Sequence, residues 1–195
     1  MNAATLSAPA MTWSTYSGAD LTGWLVSEKL DGVRAQWDGA RLLSRSGRVI
    51  AAPDWFTAWL PAAPLDGELY AGPGTLERMQ GLSRRTSASG SDWAGVRFCV
   101  FDAPAAPGGF AERLATLARI DAALPAHAEA IRHEPCPGRA WLASRFAGVV
   151  ASGGEGLVAR HPGGLYRSGE RSPLVAKIKQ HPDTPVLLGY SGEDF

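Results

Sequence analysis

Apolar and polar positions alternate with a period of two in Val33-Arg34-Ala35-Gln36-Trp37, the mark of a strand with one buried face. The apolar run Trp24-Leu25-Val26 predicts an earlier strand that carries Lys29, and a third strand is expected over residues 41–45. Asp31-Gly32 and Asp38-Gly39 stand between these runs, and an Asp-Gly pair between two strands is a hairpin signal. Together they predict an antiparallel meander and not a βαβ repeat. Further strands are expected over 65–70, 96–101, 130–133, 157–160, 174–178 and 185–190. The spacing turns helical at Phe110, Leu114, Leu117, Ile120 and Leu124, which predicts a helix over 110–124. Shorter helices are expected over 53–60, with Pro53 near the start, over 75–82, and over 139–151. Residues 1–20 read as a loose lead-in and 83–92 as a polar loop. The class is α+β: antiparallel sheets with helices packed outside.

Composition then narrows the partners. The 195 residues suit one domain of ordinary size with a real core, and 45% hydrophobic against 19% charged is ordinary for a globular chain. Formal net charge is zero, so no global field draws the protein to nucleic acid, and any polyanion contact must come from local patches. Cys99 and Cys136 are too few for a disulfide framework and have no metal-ligand spacing. No run approaches the roughly 18 apolar residues of a membrane span. The first residues show no secretory pattern, so the cytoplasm is expected, or the periplasm if a signal has been removed.

One imbalance points to chemistry. The chain holds three lysines, Lys29, Lys177 and Lys179, against sixteen arginines. A guanidinium stays protonated, whereas a lysine amine can lose its proton and become a nucleophile. Lys29 stands in Glu28-Lys29-Leu30-Asp31-Gly32-Val33-Arg34. Taken alone, that stretch reads sooner as a charged strand running into a turn than as a nucleophile site. Lys177 and Lys179 lie two apart on an apolar strand, so both point to one face, and an anion between them relieves their repulsion. A triphosphate would serve. Glu68 and Glu155 are carboxylates on apolar strands beside glycine, suited to a hydrated Mg²⁺ or a ribose hydroxyl. No Gly-rich strand-to-helix fingerprint and no P-loop occurs.

Lys29-Leu30-Asp31-Gly32-Val33-Arg34 resembles the K-x-D-G-x-R motif of ATP-dependent DNA ligases, RNA ligases and mRNA-capping enzymes. Ser44-Arg45-Ser46-Gly47, Asp66-Gly67-Glu68, Phe98-Cys99-Val100-Phe101-Asp102, Glu155-Gly156-Leu157-Val158 and Leu174-Val175-Ala176-Lys177-Ile178-Lys179 resemble the later motifs of that set, in order. The wording around them is similar to minimal bacterial ATP-dependent DNA ligases of the Lig E type. The resemblance implies a nucleotidyltransferase fold, related to ATP-grasp, over residues 21–182. It implies that Lys29 forms a covalent lysyl-AMP from ATP, with Lys177 and Lys179 holding phosphates. It assigns Glu28, Leu30, Arg34 and Arg45 to the nucleotide, and Glu68 to the ribose or a metal. Phe98 is expected to stack on adenine, with Phe101 as the alternative because alternation puts only one of them on that side. Glu68, Glu155 and Asp31 are expected at Mg²⁺ or Mn²⁺. The implied partner is nicked double-stranded DNA, in repair and recombination, met by a monomer with no membrane contact. A basic face for it is expected from Arg78, Arg84, Arg85, Arg160, Arg167 and Arg171.

The sequence departs from the family pattern at two places. Many DNA ligases have a glutamate two residues before the lysine to read the adenine amine, and Ser27 stands there. Sixteen residues follow Lys179, with no sixth motif. Residues 183–195 are expected to be the start of an OB domain that is absent or supplied elsewhere. Weak self-adenylation and poor nick sealing by this chain alone are expected. The alternatives are an RNA ligase, a capping-type transferase, or a catalytically weak nucleotide- or DNA-binding module.

Overall fold

The computed structural model describes residues 9–181, 183, 184, 188 and 189. Ten strands form two five-stranded sheets. The first sheet has the order β1 (Thr12–Thr15), β10 (Arg171–Lys179), β9 (Gly156–Arg160), β2 (Leu25–Glu28), β8 (Glu134–Pro135). The second has the order β4 (Leu42–Ser44), β3 (Val33–Trp37), β5 (Leu65–Tyr70), β6 (Arg97–Asp102), β7 (Ala128–Ala130). Among the described residues, four α-helices accompany them: α1 (Asp54–Thr57), α2 (Leu76–Arg84), α3 (Phe110–Asp121) and α4 (Arg139–Ala151).

The predicted meander is corrected. β3 and β4 do form a hairpin, with Trp37 opposite Leu42. Its turn is made by Asp38, whose Oδ1 accepts from the backbone N–H of Ala40 at 2.9 Å and Arg41 at 2.6 Å. β2, however, pairs with β9 in the other sheet. The Asp31-Gly32 segment is therefore a crossing between sheets and not a hairpin. A Cβ on Gly32 would lie 2.3 Å from the Leu69 carbonyl oxygen, so only glycine passes there. Lys29 is the first residue of that crossing, tied by its backbone N–H to the Gly156 carbonyl at 2.8 Å.

Two parallel pairs, β1 with β10 and β6 with β7, join the antiparallel pairs of the two sheets. β1 also corrects the loose lead-in. Thr12-Trp13-Ser14-Thr15 has the β-branched and aromatic character of a strand, and it closes the edge of the first sheet. The strand expected over 130–133 is instead two short strands with a crossing between them. The chain leaves the second sheet after Ala130 and joins the first at Glu134, so Ile131 to His133 bridge the sheets. The strand expected over 185–190 falls mostly outside the described residues; Leu188, which is described, has helical backbone.

Each sheet buries one face under helices. Leu69, Phe98, Val100, Met79 and Leu117 belong to the core that α2 and α3 cover on the second sheet. Val26, Leu157 and Ile178 pack with Leu142, Phe146 and Val149 of α4 on the first. A third, small cluster of Met11, Val158 and Val175 with Trp13 and Tyr166 covers the opposite face of the first sheet. Beside that cluster lies the site.

Candidate active site

A narrow cleft opens between the sheets, lined from the first by Trp13, Ser27, Glu28, Val158 and Arg160. Glu68 and Phe101 of the second sheet close the other side, and Lys29, Leu30 and Ile131 come from the two crossings. Alternation explains the set. Ser27 faces the cleft from β2, and Val158 and Arg160 share a face of β9.

The amine of Lys29 is ion-paired with one carboxylate oxygen of Glu155, and the amine of Lys179 with the other. Glu155 is held there by Gly156, with φ +144° and a Cβ position 2.1 Å from the Ile178 carbonyl oxygen. Burial alone would raise the Glu155 carboxyl, but hydrogen bonds from Lys179 and Lys29 outweigh it and hold the carboxyl below its usual range. Lys177 has no ion-pair partner among the described residues. Burial lowers its pKa first, and the like charges of Lys179, Lys29, Arg171 and Arg45 lower it further. Lys177 and Lys179 together line a wider hollow with Thr15, Tyr16 and His181. Arg45 is exposed just after β4, close enough for Lys177 to feel its charge.

Glu68 stands opposite Arg34 in the β3–β5 ladder. Burial pushes its carboxyl up to about 8, against the pull of Lys29 and then Arg34, with Asp66 and Glu155 adding repulsion. Arg34 is fully engaged. Its Nε donates to Asp66 Oδ1 at 3.0 Å, its Nη2 to Asp66 Oδ2 at 2.5 Å, and its Nη1 to the Met11 carbonyl at 2.6 Å. Tyr166 donates to the same carboxylate at 2.6 Å, and Gln36 donates to Tyr166 at 2.9 Å. In this structure Arg34 is a brace between β3, β5 and Met11 just before β1, and a ribose or phosphate contact would have to displace one of these bonds.

Phe98 does not reach the cleft. It is 0% exposed in the core of the second sheet, packed on Gly67. Phe101, three residues on and so on the opposite face, lines the cleft and meets Trp13 edge-on at 5.4 Å. The alternation that left the pair open resolves to Phe101. Glu28 and Leu30 line the cleft; Asp31, on the crossing, does not. No cluster of three His, Cys, Asp or Glu able to hold a metal occurs among the described residues. Asp31, Glu68 and Glu155 are therefore not gathered into a preformed metal site.

Two residues escape the sequence reading. Trp13 sits where a lead-in was expected, although its alternating β-branched neighbours were a readable signal. Arg160, expected on a basic surface, is 3% exposed. An arginine one residue beyond an apolar, glycine-bounded run, two positions from Val158, carried the signal that its face is an inner one. Its Nη1 donates to Ser27 Oγ and to His133 Nε2, both at 3.2 Å. Since His133 Nε2 accepts, Nδ1 carries the proton and donates to the Ile131 carbonyl at 2.9 Å. Burial, then the neighbouring Arg160 charge, pushes His133 down to about 3, so the imidazole is neutral. The guanidinium of Arg160 lies over Phe101 at 4.8 Å and Trp13 at 5.0 Å.

The family model of the ATP dependent DNA ligase domain matches residues 14–179. A DNA ligase of Haemophilus influenzae is 35% identical over 170 residues, which is 87% of this chain and 62% of that protein. The chain thus spans less than two thirds of that curated relative. Among solved structures, one from a structure–function study of Lig E DNA ligases superposes with a TM-score of 0.79 at 35% identity, covering 88% of this chain and 68% of the other. The Chlorella virus DNA ligase-adenylate gives 0.72 at 19% identity, with 89% and 68% covered, and shares the fold.

Proposed function

The chain belongs to the ATP-dependent DNA ligase family, and from that premise we propose that Lys29 is the nucleophile that takes AMP from ATP. The observation that carries this reading is the placement of the Lys29 amine at the mouth of the inter-sheet cleft, with Lys179 on the other side of Glu155. Lys29 Nζ, as the free amine, bonds to the α-phosphorus, the bond from that phosphorus to the pyrophosphate oxygen breaks, and the nitrogen gives up its proton to water at the cleft mouth. Phosphate oxygens compete with Glu155 for Lys179 and take the charge of Lys177, whose pKa burial and then the neighbouring like charges lower. Such transfers are dominated by positioning and charge neutralisation, which this cationic mouth supplies.

Mg²⁺ keeps several waters and commonly takes one or two carboxylates plus substrate phosphates. The donors here, Glu155 and Glu68, fit an ion that arrives with the triphosphate and not one stored beforehand. Such an ion would neutralise phosphate charge. Glu155 would hold it by exchanging at least one of its two lysines.

AMP then passes to a 5′-phosphate at a nick in duplex DNA, and the 3′-hydroxyl displaces it to join the strands. These steps concern the whole ligase, and the partner is nicked DNA met by a monomer. No helix among the described residues is long and apolar enough to cross a membrane. Intact-protein mass after incubation with ATP tests the first step. Addition of one AMP to the chain, lost in Lys29→Ala, is expected; equal addition to Lys29→Ala would sink the assignment.

A further inference from the structure

The turn built on α1 has an inner and an outer side. Phe56 and Leu60 lie four residues apart and are buried in the core of the second sheet. Trp55 and Trp59, also four apart, face solvent at 45% and 76% exposure. The backbone N–H of Ala58 donates to the Asp54 carbonyl at 2.8 Å, and that of Leu60 to the Thr57 carbonyl at 3.1 Å. The two indoles therefore share one side of a continuous turn. Core packing accounts for Phe56 and Leu60 but not for Trp59, which keeps most of its large apolar area in water. Trp55 is braced from behind. The rings of Phe56 and His127 meet it edge-on at 5.6 and 5.4 Å, and His127 Nε2 donates to the Phe56 carbonyl at 2.8 Å.

This patch lies away from the nucleotide cleft. α1 rests on the face of the second sheet that carries Leu69 and Phe98, whereas Glu68 and Phe101 turn the other way, into the cleft. Its surroundings are cationic and rich in hydroxyls. Trp55 Nε1 lies 3.5 Å from the Cβ position of Gly90, in the segment after α2. That segment forms an open hollow lined by Arg84, Arg85, Ser87, Ser89 and Asp92. Arg85 is ion-paired with Asp92, and Asp54 is the other carboxylate, at the head of α1. Arg84 is exposed and has no ion-pair partner among the described residues. Arg48, next to the exposed Val49, donates from Nη2 to the Ser83 carbonyl at 2.8 Å and has no carboxylate partner among them either.

Exposed aromatic faces beside free cations match one chemistry. Unpaired bases stack on indoles while guanidinium and hydroxyl groups take the phosphates between them. A duplex turns its base faces inward and offers edges and phosphates, so an exposed indole face gains little from it. We propose that Trp55 and Trp59, with Arg48, Arg84 and Arg85, bind an unpaired DNA strand on the side of the second sheet away from the cleft. This contact is separate from the nicked duplex and from the chemistry of Lys29.

Fluorescence anisotropy of a labelled single-stranded thymidylate oligomer, titrated with the full chain beside an intact blunt duplex, tests it. Wild type should bind the oligomer, with a fall in tryptophan emission. Trp59→Ala should weaken that binding about tenfold, the loss of one stacked base, and leave duplex binding unchanged. At 76% exposure the Trp59 side chain can be removed without disturbing the core. Arg84→Gln should flatten the fall of log K with log salt by about 0.7, one phosphate contact on a single strand. No oligomer binding, equal binding by Trp59→Ala, or an equal loss on the duplex would overturn the proposal. So would self-association of the chain that Trp59→Ala abolishes, since a second copy would then cover this face. Trp59→Ala should still take AMP from ATP, so failure of the Lys29 assignment and failure of this one are read separately.

Discussion

At the mouth of the cleft, Lys29 and Lys179 share Glu155 with side chains 15%, 49% and 21% exposed, whereas at its floor Arg160 is 3% exposed among rings. The mouth holds its charges in pairs that solvent and ligand can exchange, because partial hydration keeps each exchange small. The floor has no such freedom, and a cation there is tolerated only where geometry supplies acceptors. Arg113 shows the same rule completed internally: equally buried, it is closed by Asp102 and two carbonyls. The difference teaches which charges can change partners and which are fixed by the fold: Glu155 lies between two lysines at the mouth, whereas Arg113 and Arg160 are held by buried neighbours.

Substitutions can break this contrast in order of effect. Lys29→Ala should lower AMP transfer by about 10⁴-fold or more, read from label carried by α-labelled ATP, with thermal stability nearly unchanged. Arg113→Leu should leave Asp102 buried and unpaired, at about 3–5 kcal/mol, seen as a lower denaturation midpoint in urea. Next comes Glu68→Gln, where the sign can be worked out. The folded carboxyl has its pKa raised from 4.5 to about 8, so the native state binds the proton more tightly than the unfolded chain. Wild type should therefore lose stability relative to Glu68→Gln as pH rises through that window, with no further divergence above it. Parallel thermal denaturation curves of the two proteins from pH 4 to pH 9 check this. Tyr166→Phe removes one donor to Asp66 and should cost about 1–2 kcal/mol, by the same urea assay. Arg45→Ala, exposed beyond β4, should change stability by no more than about 0.5 kcal/mol, while weakening ATP binding through the charge near Lys177.

Local structure was legible wherever periodicity was strong. The strands around Ala35, Leu69 and Val100 and the helices α3 and α4 lie where alternation and helical spacing put them. Partnership was not legible, because Asp-Gly marks a reversal or a crossing alike. What decides is the Leu69 carbonyl against Gly32, a contact distant in sequence. Lys29, Glu68, Glu155 and Lys179 came from the sequence, and the structure brings them together. Phe101 could be narrowed to one of two by alternation but not chosen. Arg160 and Trp13 were missed for one reason: composition treats arginine as surface and an Ala/Ser-rich start as loose. Burial, which only packing reveals, reverses both.

The central claim is that Lys29 is the residue that carries AMP. Incubation of the chain with ATP and Mg²⁺, followed by intact mass and peptide mapping, tests it most directly. One AMP is predicted, on the peptide containing Lys29 and absent from Lys29→Ala. AMP on Lys177 or Lys179, or unchanged labelling of Lys29→Ala, would contradict it.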